Sequence, residues 1–424
     1  MSSSILVSIF EGGYQPINAL TGLAALRNAG HDTDFLDAYV EGYDVDQLKD
    51  YDTIILPVPL FDSLNSAIQL CKELDDAGCK ADKVMFGQYA TINAKYLSGR
   101  YADHVVSGEW EVPLVSLMDR KAGSNDPVIN VYSNGRKTPE QTMQMLKLRG
   151  TMAKPLRQSA PHLSKYPQPH LTTLMGEEKI VGGLELTRGC HHKCTYCSVF
   201  SAYDGKVLLG DLEQVLEDID ALVEQGMEHM TFIDAEFFNA TRRSFDALAQ
   251  IHDRHPNLTF DFTTRVDHIL ENRDRLQELY DMGVRVITSA LEFPKNEVLE
   301  QVRKEVDVDD LKESVRLVQN SGITLNPTFI MFNPWVTLED FPRFHDFLVE
   351  TGMENDVDPI QFETRLHLYK GSPLLKNETV KQLRLEEKEF HYDWFHTDER
   401  VDELFHASVT PAVEGEFKRC CLKC

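Results

Sequence analysis

The chain has 424 residues, 42% of them hydrophobic and 26% charged, with a formal net charge of −25. That length suits two or three domains with a sizeable core, and so large an acidic excess excludes nucleic acid as the main partner, because phosphate binding needs clustered lysine and arginine. No apolar run approaches the ~20 residues that span a bilayer, and residues 1–10 lack the basic start and long apolar stretch of a signal peptide, so a cytoplasmic protein is expected.

Taken in chain order, residues 5–10 read as a buried strand and 17–28 as a helix closed by Ala29-Gly30. Strands are expected at 31–37, 51–58, 83–86 and 104–107, with a helix at 66–77. The alternation predicts a small doubly wound α/β domain over residues 1–120. Ligands of such folds bind at the carboxyl ends of the strands. Cys71 and Cys79 stand alone and read as ordinary thiols. Residues 121–178 read as a linker, with a turn-rich break at 122–127 and a helix at 138–148 that has Pro139 in its first turn. Pro155, Pro161, Pro167 and Pro169 argue for an extended crossover into the next domain.

From 179 to 387 strand and helix alternate steadily. Strands are expected at 180–187, 230–234, 259–264, 284–291, 324–332 and 358–368. Helices are expected at 211–225, 242–255, 274–282, 309–320 and within 338–352. Directly after the first of these strands come Cys190, Cys194 and Cys197, spaced C-x₃-C-x₂-C. Three thiolates on one short loop hold three irons of a 4Fe–4S cube and leave the fourth open to a small molecule. A structural zinc site asks for four ligands, often as separated pairs. His191 and His192 lie inside the loop and read as loop residues. Cysteine clusters in a chain with no export signal indicate metal or redox chemistry rather than a disulfide scaffold.

This loop, with Tyr196 just before its last cysteine, resembles the signature of the radical S-adenosylmethionine (radical SAM) enzymes. The resemblance implies a 4Fe–4S cluster on Cys190, Cys194 and Cys197, with SAM chelating the open iron. It also implies an electron donor such as flavodoxin or ferredoxin. The six strand–helix units match that family's partial (β/α)₆, TIM-type barrel, whose working residues sit at the carboxyl ends of the strands. By the same resemblance Asp234 or Glu236 contacts the SAM amine through a charge-assisted hydrogen bond; helix capping or a solvated side chain is the alternative. Arg265 meets the SAM carboxylate, or simply pairs with Asp267. Residues 289–293 resemble the family's stretch whose acid, here Glu292, faces the ribose hydroxyls, with alanine and phenylalanine in place of the usual glycine and serine. Residues 329–334 resemble the adenine-packing run, with Phe332 where glycine is common, so the pocket is expected to be reshaped.

The N-terminal part resembles the cobalamin-binding-like domain that precedes many such barrels, through Gly30-His31, Tyr51-Asp52, Phe86-Gly87 and residues 106–109. No Asp-x-His-x-x-Gly is present. Cobalamin binding and a relic scaffold both stay open.

The tail, 388–424, begins with an aromatic, histidine-rich stretch that suits packing against the barrel. It ends in Arg419-Cys420-Cys421-Leu422-Lys423-Cys424. Three thiols there form a soft claw, and Lys418, Arg419 and Lys423 favour thiolate. Such a set suits trivalent arsenic; a frayed terminus is the bland alternative. This hexapeptide, with the two preceding domains, resembles the radical SAM enzymes of arsinothricin biosynthesis. The resemblance implies cleavage of the Cγ–S bond of SAM and transfer of its 3-amino-3-carboxypropyl group to arsenite held by Cys420, Cys421 and Cys424. Two other readings remain: a cobalamin-dependent radical SAM methyltransferase acting on a small organic substrate, and a non-enzymatic arsenic or metal sensor or sequestering protein.

Overall fold

A computed structural model of the chain describes residues 3–137 and 152–409. The helix expected at 138–148 and the terminal Cys420, Cys421 and Cys424 lie outside the described residues. In the N-terminal part, β1 (Ser4–Ser8), β2 (Thr33–Asp37), β3 (Thr53–Pro57), β4 (Asp82–Phe86) and β5 (His104–Val106) pair in parallel, in the order β2-β1-β3-β4-β5. All positions of β1 and β3 are buried, as expected of a sheet covered on both faces. Strands β6 (Val131–Ser133) and β7 (Arg136–Lys137), in the segment read as linker, extend the same sheet antiparallel. The helix Ile17–Asn28 falls where its pattern placed it. The helix Phe61–Asp76 starts earlier than expected, because Ser63 Oγ caps it and donates to Phe10 O at 2.7 Å. Helices Gln88–Leu97 and Glu111–Lys121 complete the α/β layers.

The stretch from Pro155 is less extended than its prolines suggest. It forms short 3₁₀ turns at Arg157–Ser159 and Leu163–Lys165, then the helix Pro169–Met175 with proline in its first turn. Arg157, 2% exposed, anchors it to the barrel. Its guanidinium grips Asp218 at 2.9 and 2.8 Å and donates to Gly183 O at 2.8 Å.

The second sheet is parallel: β8 (Val181–Leu184), β11 (His229–Phe232), β12 (Thr259–Thr263), β13 (Val284–Glu292) and β14 (Thr324–Phe329), ordered β14-β13-β12-β11-β8. Between β8 and β11, β9 (Thr187–Gly189) and β10 (Val207–Leu209) form an antiparallel ribbon that brackets the cysteine loop. The helices between these strands lie close to their expected ranges; Leu212–Glu224 is capped by Asp211, whose carboxylate accepts from Glu213 N and Gln214 N. The sixth strand, expected at 358–368, is reduced to one parallel bridge between Phe332 and Arg365, made by Phe332 N to Thr364 O at 2.9 Å and Leu366 N to Phe332 O at 2.8 Å. Pro359 starts a 3₁₀ turn there, and Asp358 caps it, which takes the preceding residues out of the sheet. Strands β15 (Leu368–Tyr369), β16 (Arg384–Glu387) and β17 (His391–Phe395) form a small antiparallel sheet. Trp394 is buried and donates to Leu366 O at 2.8 Å, and Arg365 lies 3.9 Å over its ring, so this part of the tail packs on the barrel as expected. Among the described residues no helix is long and apolar enough to cross a membrane.

The strand ends of the N-terminal sheet face the barrel. Tyr14 packs on Gly183, where any Cβ would lie 3.2 Å from its ring, and its hydroxyl donates to Thr231 Oγ1 at 3.1 Å. Gln88 donates to Ser198 Oγ at 2.8 Å. Arg188 lies 3.6 Å over the ring of Trp110 and pairs with Glu109 at 2.6 Å and Glu111 at 3.0 Å. Burial pushes the Glu109 carboxyl up to about 7, against the pull of Arg188.

Two outcomes follow. Arg157→Ala leaves Asp218 buried and unpaired, and should cost about 3–5 kcal/mol in urea unfolding. Because the folded chain holds the Glu109 proton more tightly than the unfolded one, its contribution to stability falls as pH rises from about 4.5 to about 7. Glu109→Gln should therefore narrow the difference in Tm between pH 5 and pH 8, read by calorimetry.

Candidate active site

The cysteine loop starts at a turn that only glycine can make. Gly189 has φ of 89°, and a Cβ there would lie 2.3 Å from Lys206 O across the ribbon. Cys190 and Cys194 are buried and Cys197 is half-buried. Val199, Tyr203 and Ala235 pack around Cys190 and Cys197. Cys197 also precedes the helix Ser198–Tyr203, and its N–H donates to Cys194 O at 3.2 Å. The loop is tied from outside by Thr195, which donates to Val302 O and Gln301 O, and by the Tyr369 hydroxyl, which donates to Cys197 O at 2.9 Å. Burial pushes the Cys190 thiol up to about 12, and burial with the neighbouring Cys194 pushes Cys197 up to about 11. Thiols in such a setting give up their protons to a metal rather than to water. Three sulfur donors on one constrained loop, against an apolar wall, fit three irons of a 4Fe–4S cluster. Cys190, Cys194 and Cys197 are the residues that would hold it.

Arg265, at the end of β12, is the cation of this site. Its Nη1 lies 3.0 Å from Cys194 Sγ, it forks onto Asp267 at 2.9 and 2.8 Å, and Nη2 donates to Lys304 O at 2.5 Å. The Asp267 pair weighed against a functional Arg265 is thus present together with the sulfur contact. Glu292 ends β13 with φ of 61°, a left-handed conformation that costs a non-glycine residue about 1–2 kcal/mol. The Tyr196 hydroxyl donates to its carboxylate, and Lys304 Nζ pairs with it at 2.8 Å. Burial and that carboxylate hold the Tyr196 phenol well above its usual range, so it stays a donor. A strained acid held by two named partners at a strand end is the usual mark of a functional position.

Asp234 and Glu236 are buried, but their oxygens serve the backbone. Asp234 accepts from Leu186 N at 2.9 Å, Thr187 N at 2.5 Å and Thr187 Oγ1 at 2.6 Å, which positions the strand leading into the cysteine loop. Glu236 accepts from Phe238 N, Thr264 Oγ1 and Arg265 N, which positions Arg265. The structure therefore brings Cys194, Tyr196, Arg265 and Glu292 into one network, with Asp234 and Glu236 supporting its edges. Half-exposed Ile233, Ala235, Ala290 and Ile330 stand at the same strand ends. Lys304 escaped the sequence reading. It lies beyond the helix Asn296–Gln301, between Arg303 and Glu305, both with positive φ, and no spacing rule marks it. Phe332 is buried against Phe341 and Phe405.

Near the strand ends of the N-terminal sheet Ser63 is bonded to Phe10, Gln88 to Ser198 of the barrel, and Arg188 is stacked on Trp110.

Hydrogen bonds to cluster sulfurs raise the reduction potential. Arg265→Gln should leave the iron content of reconstituted protein intact and make the cluster harder to reduce, seen as a more negative midpoint in an EPR-monitored redox titration.

Residues 184–348 match the family described as the Radical SAM superfamily. The hopanoid C-3 methylase of Methylococcus capsulatus is 23% identical over 333 residues, covering 76% of this chain and 62% of that protein. The ribosomal protein uS12 methylthiotransferase RimO of Bacteroides thetaiotaomicron is 23% identical over 203 residues, covering 44% of each. The chain thus spans less than two thirds of the length of these curated relatives. Among solved structures, the radical SAM methyltransferase TsrM from Kitasatospora setae superposes with a TM-score of 0.75 at 14% identity, over 98% of this chain and 92% of that one. The cobalamin-dependent radical SAM enzyme OxsB superposes with a TM-score of 0.71 at 17% identity, over 96% and 66%. The chain therefore has the fold of these enzymes, a partial barrel whose residues 184–348 match the radical SAM family, behind an N-terminal α/β domain of the cobalamin-binding-like fold.

Proposed function

We propose that the protein transfers the 3-amino-3-carboxypropyl group of SAM to arsenite, forming a carbon–arsenic bond and giving hydroxyarsinothricin. The observation that carries this reading is a second three-thiol set, Cys420, Cys421 and Cys424, in a chain whose first set already suits an iron–sulfur cluster. Soft thiolates without a fourth donor suit trivalent arsenic.

A 4Fe–4S cluster on Cys190, Cys194 and Cys197 would supply the electron that opens a C–S bond of SAM. The protein's own residues do the rest. Glu292, held by Lys304 and Tyr196, would accept from the ribose hydroxyls. Arg265, whose Nε and Nη2 are taken by Asp267 and Lys304, would offer the second N–H of Nη1 to the SAM carboxylate beside Cys194. Asp234 and Glu236 position the two strand ends and leave the amine to nearby acceptors. The reaction balances without an outside oxidant: the sulfonium is reduced to a thioether as arsenic goes from trivalent to pentavalent, the electron that opened the C–S bond would return to its donor as the C–As bond forms, and three waters displace the Cys420, Cys421 and Cys424 sulfurs from arsenic, each sulfur leaving as a thiol.

A second reading is cobalamin-dependent methyl transfer to a small organic molecule. It is favoured by the relatives, which are named as a methylase and a methylthiotransferase, and by the likeness to OxsB and TsrM.

Anaerobic turnover of reconstituted protein with SAM and arsenite separates the readings. The expected products are methylthioadenosine and an arsenical carrying the aminocarboxypropyl group, in equal amounts by mass spectrometry. 5′-Deoxyadenosine as the only coupled product rejects the proposal; a methylated product that requires added cobalamin supports the second reading. Arsenite binding with no turnover of SAM would leave a sensor or sequestering role. Cys424→Ser should keep its iron yet lose at least about tenfold in arsenic incorporation, the scale of losing one metal-site partner.

A further inference from the structure

Two histidines inside the cysteine loop meet a third from the helix that follows β12. His191 and His192 lie between Cys190 and Cys194, and His268 lies on the helix Val266–Glu271. One ring nitrogen of each lies within 4.8 Å of the others, and His192 Nε2 is 2.8 Å from His268 Nε2. We propose that His191, His192 and His268 bind a divalent transition-metal ion of the zinc class, which ties the cysteine loop to this helix.

The outer contacts prepare the rings for a metal. His268 Nδ1 lies 3.1 Å from Glu271 Oε2, so Nδ1–H donates to the carboxylate and Nε2 is the ring nitrogen left for a metal. His191 Nδ1 lies 3.0 Å from Asn239 Oδ1. The Asn239 amide cannot turn round, because its Nδ2 donates to Thr187 Oγ1 at 3.2 Å and Gly189 O at 3.0 Å. His191 therefore also donates from Nδ1 and keeps its Nε2 lone pair. An imidazole whose far nitrogen is anchored on an oxygen acceptor is the common form of a metal-ligating histidine.

Charge and size agree. A ring nitrogen of His192 also lies within 4.8 Å of carboxylate oxygens of Asp267 and Glu305, which favour a cation. Three imidazoles select zinc, nickel, copper or iron over magnesium or calcium. Metal–nitrogen bonds of about 2.0–2.1 Å place tetrahedral ligands roughly 3.3 Å apart, so the His192–His268 pair needs only a small ring rotation. The site is distinct from the three cysteines and does not depend on arsenic.

The test uses full-length, cluster-reconstituted protein with Cys420, Cys421 and Cys424 all changed to serine, so that the tail thiols do not compete. Protein incubated with Zn²⁺ and desalted is expected to keep roughly one zinc per chain, with nitrogen and oxygen but no sulfur in the zinc X-ray absorption shell. His268→Ala and His191→Ala should each weaken zinc binding about tenfold or more while the iron content stays unchanged. His191 is exposed, so its variant keeps the test decisive where His268→Ala does not fold. No retained zinc, a sulfur-containing shell, or zinc affinity unchanged in His191→Ala would overturn the proposal.

Discussion

The guanidinium of Arg265 is the constraint on which the site depends. It touches a cluster-loop sulfur, a carboxylate and the Lys304 carbonyl at once. A buried charge is tolerable only when paired and fully bonded. Arg265 meets that condition by linking three segments far apart in sequence. Lys304 in turn neutralises Glu292, and Glu292 accepts from Tyr196 inside the cysteine loop. The ends of β12 and β13 are thereby locked to the loop that carries Cys194. Neither acid nor base of this network is free to move alone.

The same logic operates between the domains. Arg188 leaves the cysteine loop's leading strand and enters the N-terminal part, where Glu109, Glu111 and the face of Trp110 receive it. The N-terminal sheet presents to the barrel the strand ends that in open α/β folds receive ligands. Here those ends are joined to the barrel by direct side-chain contacts. The N-terminal part therefore packs on the face of the barrel sheet at β8 and β11, through Tyr14 on Gly183 and Thr231.

Much of this was legible in the residues. Period and punctuation located the first helix and the alternating core of the barrel, because strong patterning survives tertiary context. The spacing of Cys190, Cys194 and Cys197 marked the loop without any fold. Lys304, His268 and the acids around Arg188 were not legible. Each gains meaning only from a partner many residues away, and a lone lysine or histidine carries no local signature. The roles of Asp234 and Glu236 were harder still, since a carboxylate at a strand end looks the same whether it faces a ligand or a backbone N–H. The sixth strand was over-read from its apolar residues. Pro359 and the Asp358 cap turn that segment aside, and only a single bridge to Phe332 remains.

The ribbon of β9 and β10 has a consequence for how a cofactor is gained and lost. It clamps the two ends of the cysteine loop together by backbone pairing, from Thr187 opposite Leu209 to Gly189 opposite Val207. The entropy of closing that loop is thus met by the polypeptide itself rather than by the incoming inorganic group. Closure of the loop is therefore a property of the chain's own backbone pairing, whatever the three thiols hold.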